Sequence, residues 1–214
     1  FISKLTGTKQ ASYEVKRLAK DVREFIFNLP EGRQYVFVDT PGFDHNYRSD
    51  SDILRMIVVW LGNKYRRRVN LSGIIYTHRI TDDRMTGSVC KNLEMFVRLC
   101  GDKAAGGVRL VTTMWGKVKN KDVAESRVSQ LENKFWKPLI EAGARHERFE
   151  DNSSRCAWGI IESLTGGGED LLLQEELVHA EMKLNKTTAG KALYAQFHNL
   201  WHEQKETIRH LQEE

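Results

Sequence analysis

The segment Tyr35-Val36-Phe37-Val38-Asp39-Thr40-Pro41-Gly42 carries the most explicit chemistry in this 214-residue chain. Apolar residues of strand type deliver an aspartate, and a glycine follows three positions later. A carboxylate at the carboxyl end of a strand in an α/β sheet faces the crevice where ligands bind, and there it can hold a hydrated Mg²⁺ ion. The glycine lets the backbone approach a terminal phosphate and donate its N–H, since no Cβ intervenes. A bare Asp-x-x-Gly occurs in many loops; Asp-Thr-Pro-Gly after an apolar strand and before a capped helix is far more specific. Asp39 and Gly42 are therefore candidate metal and phosphate contacts, and Thr40 and Pro41 fix the loop between them. His45, just beyond, is either the residue that orients an attacking water or an exposed residue of a switch loop.

Other clusters carry less. His198 and His202 stand at i, i+4, the spacing of two metal ligands on a helix, but no Glu follows His198 and no third ligand is identifiable. No G-x-S-x-G supports a serine nucleophile. Arg79 and Arg84 flank Asp82-Asp83, as paired surface charges or as an arginine offered to a neighbouring subunit. The three cysteines, Cys90, Cys100 and Cys156, are widely spaced without a C-x-x-C, which points to free thiols in a reducing, cytoplasmic setting. A formal charge of +4, from 33 basic and 29 acidic residues, is too mild for a nucleic-acid binder. The dense run Lys64-Tyr65-Arg66-Arg67-Arg68 reads as a solvated helix end or as a surface for an acidic partner. The best apolar run, Ile53 to Leu61, is interrupted by Arg55, so no membrane span is expected.

These residues need elements to position them. Asp21 to Leu29 and Gln34 to Asp39 read as strands joined through Pro30-Glu31-Gly32, an antiparallel hairpin. Ser51 to Lys64 reads as a helix, with Asp50-Ser51-Asp52 as capping material. Then come a strand over Ser72 to Thr77, a helix over Gly87 to Leu99, a strand over Val108 to Thr113 and a helix over Asp122 to Phe135. A short strand over Arg145 to Phe149 and a helix over Ser154 to Leu164 complete the pattern. Short apolar strands alternating with helices imply an α/β fold, a mostly parallel sheet flanked by helices, with the hairpin adding one antiparallel edge. Gly166-Gly167-Gly168 punctuates the chain. Beyond it a first helix is expected from Glu169 to about Leu184. A second carries Leu193, Phe197, Leu200, Trp201, Ile208 and Leu211 on roughly one heptad seam, for packing back on the domain or for a coiled-coil or partner contact.

Phe37 to Asp44 resembles the Walker-B and switch-II segment of translation-factor-class GTPases. Within that class it is most similar to the septin-like, immune-associated nucleotide-binding (paraseptin) GTPases and their fungal relatives. Thr77 to Gly87, Leu110 to Trp115 and Phe135 to Leu139 also fit the fungal relatives. The resemblance covers roughly Phe1 to Leu164. It implies a P-loop NTPase fold over residues 1–165, a variable helical extension over 166–214, and GTP or GDP with Mg²⁺ as ligands. It assigns Asp39 to Mg²⁺ through water, Gly42 to the terminal phosphate, Thr113 and Trp115 to the base, and Asn152 to the last base-contacting loop. It also implies a homodimer across the nucleotide face.

The chain departs from that pattern in three ways. No G-x-x-x-x-G-K-[ST] phosphate loop occurs in it. Phe1-Ile2-Ser3-Lys4-Leu5-Thr6-Gly7 fits the helix that follows such a loop, so the expectation is a GTPase domain truncated before or within the loop. By spacing, Ala19 falls where switch I offers a metal-binding threonine, with Thr6 and Thr8 as distant substitutes. Gly116 falls where the guanine-reading aspartate belongs. Losing that bidentate contact costs about 1–3 kcal/mol of base discrimination, whereas stacking on Trp115 tolerates any base. The sequence therefore supports a GTP-binding switch with slow Mg²⁺-dependent hydrolysis, a hydrolase stimulated by self-association. The alternative is an inactive pseudo-GTPase that serves as an interaction scaffold, with its C-terminal helices for a protein partner.

Overall fold

The computed structural model describes residues 1–5, 12–17, 22–29, 32, 34–41, 50–65, 71–164, 170–179, 182–195, 198, 205 and 209. After a single helical turn, α1 (Ile2–Leu5), the strands β1 (Ser12–Arg17), β2 (Arg23–Asn28) and β3 (Gln34–Asp39) pair antiparallel in the order β1-β2-β3. The register runs from Arg23↔Asp39 to Asn28↔Gln34, and Gly32, at φ 77°, donates its N–H to Leu29 O at 3.0 Å inside the turn. Only a residue at ease with positive φ closes so short a turn. Period-two alternation puts Phe25, Phe27, Tyr35 and Phe37 on one face, with Phe25 opposite Phe37 and Phe27 opposite Tyr35.

Helix α2 (Asp50–Tyr65) leads to β4 (Ile74–Arg79), α3 (Gly87–Cys100), a 3₁₀ turn (Lys103–Gly107), β5 (Val108–Thr113), a second 3₁₀ turn (Trp115–Lys117) and α4 (Lys121–Gln130). Helix α4 runs into a π-helical turn (Leu131–Phe135), followed by α5 (Lys137–Glu141), β6 (Arg145–Arg148) and α6 (Ser154–Glu162). Strands β4, β5 and β6 pair parallel in that order. Central β5 is buried along nearly its whole length, as befits a parallel strand covered on both faces. Val108 and Leu110 face α3, α4 and the fully buried Trp136, while Val111 faces α6. Arg109 is the exception in that run. Buried at 4% exposure, it gives Nε–H to Ser163 Oγ at 2.9 Å and N–H groups to the carbonyls of Gly106 and Val108 at 3.1 Å, so its charge is solvated by the backbone at the end of α6.

Helix α6 ties the two sheets together. Its Trp158 meets Phe27, Tyr35 and Phe37 edge-to-face, at ring centroids 6.3, 5.4 and 6.2 Å apart. Ala157, Ile160 and Ile161 belong to the same cluster as Val111. On the other side of the fold, Leu54 and Leu61 of α2 and Met95 and Leu99 of α3 pack with Leu171, Leu173, Ala189, Ala192 and Leu193. The residues after the Gly-Gly-Gly run thus fold back onto the domain as far as Leu193.

The α/β class stands, with three differences from the sequence reading. The antiparallel strands form a three-stranded sheet of their own instead of one edge on the parallel sheet. Strand β1 was not expected, because Ser-Tyr-Glu-Val-Lys-Arg holds only two apolar residues; pairing with β2 makes it a strand. The helix expected from Glu169 to Leu184 is broken into α7 (Leu172–Gln174), a π turn (Glu175–His179) and a 3₁₀ turn (Leu184–Lys186). There Gln174 turns its side chain back to accept the Leu171 N–H at 3.0 Å, and the Glu176 carboxylate accepts the Thr188 N–H at 2.9 Å, capping the helical residues 188–195. The heptad seam beyond Leu193 (Phe197, Leu200, Trp201, Ile208 and Leu211), and His202, lie outside the described residues. Among those described, no helix is long and apolar enough to cross a membrane.

Candidate functional site

Strand β3 ends on Asp39, and exposed Thr40 and half-buried Pro41 follow it. The Asp39 carboxylate is engaged: Arg23, its register partner on β2, donates Nη2–H to Oδ2 at 2.6 Å. Both side chains remain 40–49% exposed, so the pair is weak and a competing cation has access to the carboxylate. An aspartate of this kind suits a hydrated Mg²⁺, whose ligands are hard oxygens, provided the guanidinium moves aside. Gly42, His45, Thr6, Thr8 and Ala19 lie outside the described residues. Among those described, no group of three or more acidic, histidine or cysteine side chains is arranged to hold a metal by itself.

The second part of the site sits at the carboxyl ends of β5 and β6. Thr113 closes β5; its hydroxyl donates to His78 O at 3.2 Å, and its carbonyl accepts the Ile80 N–H at 3.0 Å. Met114 then adopts the left-handed conformation, φ 66°, which is costly for a residue with a side chain and is held by the structure around it. It leaves Met114 40% exposed and turns the chain into the 3₁₀ turn of Trp115. Trp115 is fixed twice. Its Nε1–H donates to Thr112 Oγ1 at 3.1 Å, and the Arg148 guanidinium lies 4.7 Å from its ring centroid. Arg148 is in turn held by two parallel 2.7 Å hydrogen bonds to Glu125. Those bonds push the Arg148 pKa up and hold the Glu125 carboxyl below the ordinary glutamate range. Gly116 is exposed, with no side chain to read a base edge.

Beyond β6, Asn152 also takes positive φ, 57°, in a loop that opens α6. Asp151 Oδ1 accepts the Ser153 N–H at 2.9 Å, which keeps its carboxyl ionised to unusually low pH, and Ser153 Oγ caps the helix at Cys156 N–H. Adjacent strand ends therefore carry Thr113, Trp115 and Asn152, while Asp39 belongs to the other sheet, where its ion pair is with Arg23. Arg79 pairs with Asp82 at 3.1 Å, and Asp83 pairs with Arg127, which leaves Arg84 exposed with no ion pair among the described residues.

Sequence reasoning missed a chain of hydrogen bonds behind Trp115. Glu132 Oε1 lies 2.6 Å from His146 Nδ1, and His146 Nε2 lies 2.9 Å from Thr112 Oγ1. Carboxylate, imidazole and hydroxyl in this order are the groups of a nucleophilic triad. Thr112, however, is fully buried, so no substrate carbonyl reaches its oxygen and the chain works as a support. The alternation in Arg145-His146-Glu147-Arg148 could have revealed it, since His146 and Arg148 share a face of β6. The register then sets them opposite Leu110 and Thr112.

No protein-family model matches the chain, and no curated protein is significantly similar to it.

Proposed function

We propose that this chain is a GTPase-type switch domain that binds guanine nucleotide with Mg²⁺ in the cytoplasm. The observation that carries the reading is Asp39 as the last residue of β3, followed by Thr40 and Pro41, with its carboxylate within reach of an exchangeable cation. Asp39 would hold the metal through water and Gly42 would meet the terminal phosphate. Thr113, Trp115 and Asn152, on adjacent strand ends, would receive the base. Bound Mg²⁺ would neutralise charge on the phosphates. His45 is the one residue proposed to orient water, so hydrolysis would be slow and raised by pairing of two copies across the nucleotide face. Arg84, exposed and without an ion pair among the described residues, is a cation available to such a neighbour.

A second reading, a non-hydrolysing scaffold, is favoured by the Arg23–Asp39 pair and by Gly116. In that case the C-terminal helices serve a protein partner. Equilibrium dialysis of the full-length natural protein against GTP, with and without Mg²⁺, separates the two. Mg²⁺-dependent saturation supports the switch; no uptake of GTP at any Mg²⁺ concentration leaves the scaffold.

A further inference from the structure

Strand β6 ends the parallel sheet: among the described residues it is paired to β5 on one side and to no strand on the other. The ladder decides which of its backbone groups are spent. Phe149 N–H donates to Thr112 O at 2.8 Å, so the odd-numbered residues turn their amides toward β5. Direction alternates along a strand, and His146 therefore turns its N–H and C=O outward, where no described residue takes them up. A free donor and acceptor on a sheet edge are a template for another strand.

The outward side is open. A cleft of about 700 Å³ separates β6 from the π turn and α5, within the ~300–1,000 Å³ of ligand-binding clefts. Arg145, His146 and Glu147 all line it. Successive side chains of a strand point to opposite faces, so a cleft touched by three in a row follows the strand's edge. Half-buried Ile140 and buried Ala144 supply an apolar wall on the α5 side. The His146 ring is committed through both nitrogens, to Glu132 and to Thr112, and Lys137 lies 3.7 Å from Glu141. Exposed Arg145 and half-buried Glu147 have no ion pair among the described residues.

We infer that the β6 edge is a docking site for an extended protein segment that adds one strand to the parallel sheet and carries an acidic, an apolar and a basic residue in succession. This mode of recognition takes its adhesion from main-chain hydrogen bonds and its specificity from alternate side chains. The His146 N–H and C=O would supply the hydrogen bonds. The apolar residue, opposite His146, would point to the side of Ile140 and Ala144. The acidic residue would stand opposite Arg145 and the basic one opposite Glu147, and both would point to the other face. Residues directly opposite across strands lie about 4.5–5.5 Å apart, where unlike charges attract and like charges repel. With only four residues, two of them arginines and one a glutamate, β6 rejects strands that lack this order of charges. The site lies on the other sheet from Asp39 and stands independently of nucleotide binding.

The test titrates short capped peptides, with Glu-Val-Lys, Glu-Val-Glu or Lys-Val-Lys at the centre, into the ¹⁵N-labelled full chain. The expected result is saturable binding of the Glu-Val-Lys peptide, with the His146 backbone amide shifted and its hydrogen exchange slowed. Each like-charged peptide is expected to bind about fivefold more weakly. Methylation of the central amide nitrogens of the Glu-Val-Lys peptide should abolish binding. Arg145→Glu, at an exposed position, should reverse the preference in favour of Lys-Val-Lys. Equal affinity for all three peptides, binding that leaves the His146 amide unmoved, or no binding overturns the proposal. Protection of that amide that grows with protein concentration in the absence of peptide assigns the edge to a second copy of the chain, and overturns it as well.

Discussion

Asp39 and Arg23 face each other across β2 and β3, and their pairing argues two ways. An exposed ion pair contributes about 0.5 kcal/mol or less, so Arg23→Ala should leave the unfolding midpoint almost unchanged. If the carboxylate serves a cation, the same substitution removes its competitor and tightens Mg²⁺-dependent GTP binding about threefold, as a fluorescence titration would read. His78 behaves differently. Burial beside Trp136 pulls its pKa below the ordinary 6.5, with Arg79 adding to that and Asp82 opposing it. The native state therefore binds fewer protons than the unfolded chain between the lowered value and 6.5, and stability falls as pH falls through that window. Denaturant unfolding at a series of pH values should display this slope, and His78→Gln should flatten it.

Helix α6 is the element on which the two sheets depend. Trp158 contacts three aromatic side chains of β2 and β3 from a helix whose opposite residues bury Val111. Trp158→Ala should cost about 3 kcal/mol and lower the thermal midpoint by roughly 6–12 °C for a chain of this length. The strand of origin matters as well as the helix. Strands β3 and β5 were legible because each is dominated by apolar and β-branched residues, Tyr35 to Val38 in one and Val108, Leu110 and Val111 around Arg109 in the other. Strand β4 is displaced by two residues from the expected span, to Ile74–Arg79, and just before it Gly73 leaves no room for a Cβ, which would clash with Gly107 O and Leu164. Strand β1 was illegible, since Ser-Tyr-Glu-Val-Lys-Arg carries little apolar pattern and its strand character comes from pairing with β2. The π turn at Leu131–Phe135 has no sequence period of its own, and with it Glu132 went unnoticed.

Across the whole molecule, the fold class was legible in the alternation of short apolar strands and amphipathic helices, while the division into two sheets was not. Alternation reports which residues face a core but not which strand lies next to which. The placement of Asp39, Thr113 and Trp115 at or just past strand ends was legible, because each follows an apolar strand in sequence. Hidden were the long-range pairs Thr112–His146 and Glu125–Arg148, separated by 34 and 23 residues. Most of the amino-acid choices agree across levels, and the local exceptions, Met114 and Asn152 at positive φ, stand together at the adjacent strand ends.

The central claim is that Asp39 serves a metal-bound triphosphate. The most direct measurement is an equilibrium titration of the full-length natural protein with a fluorescent GTP analogue in Mg²⁺, run in parallel on Asp39→Ala. We predict saturable binding that the substitution weakens about tenfold, the equivalent of one lost charge-assisted contact. We also predict that ATP competes within about tenfold of GTP, because Gly116 offers no carboxylate to the guanine edge. Binding equally tight with and without the Asp39 carboxylate, or no saturable binding of either triphosphate, would contradict the account.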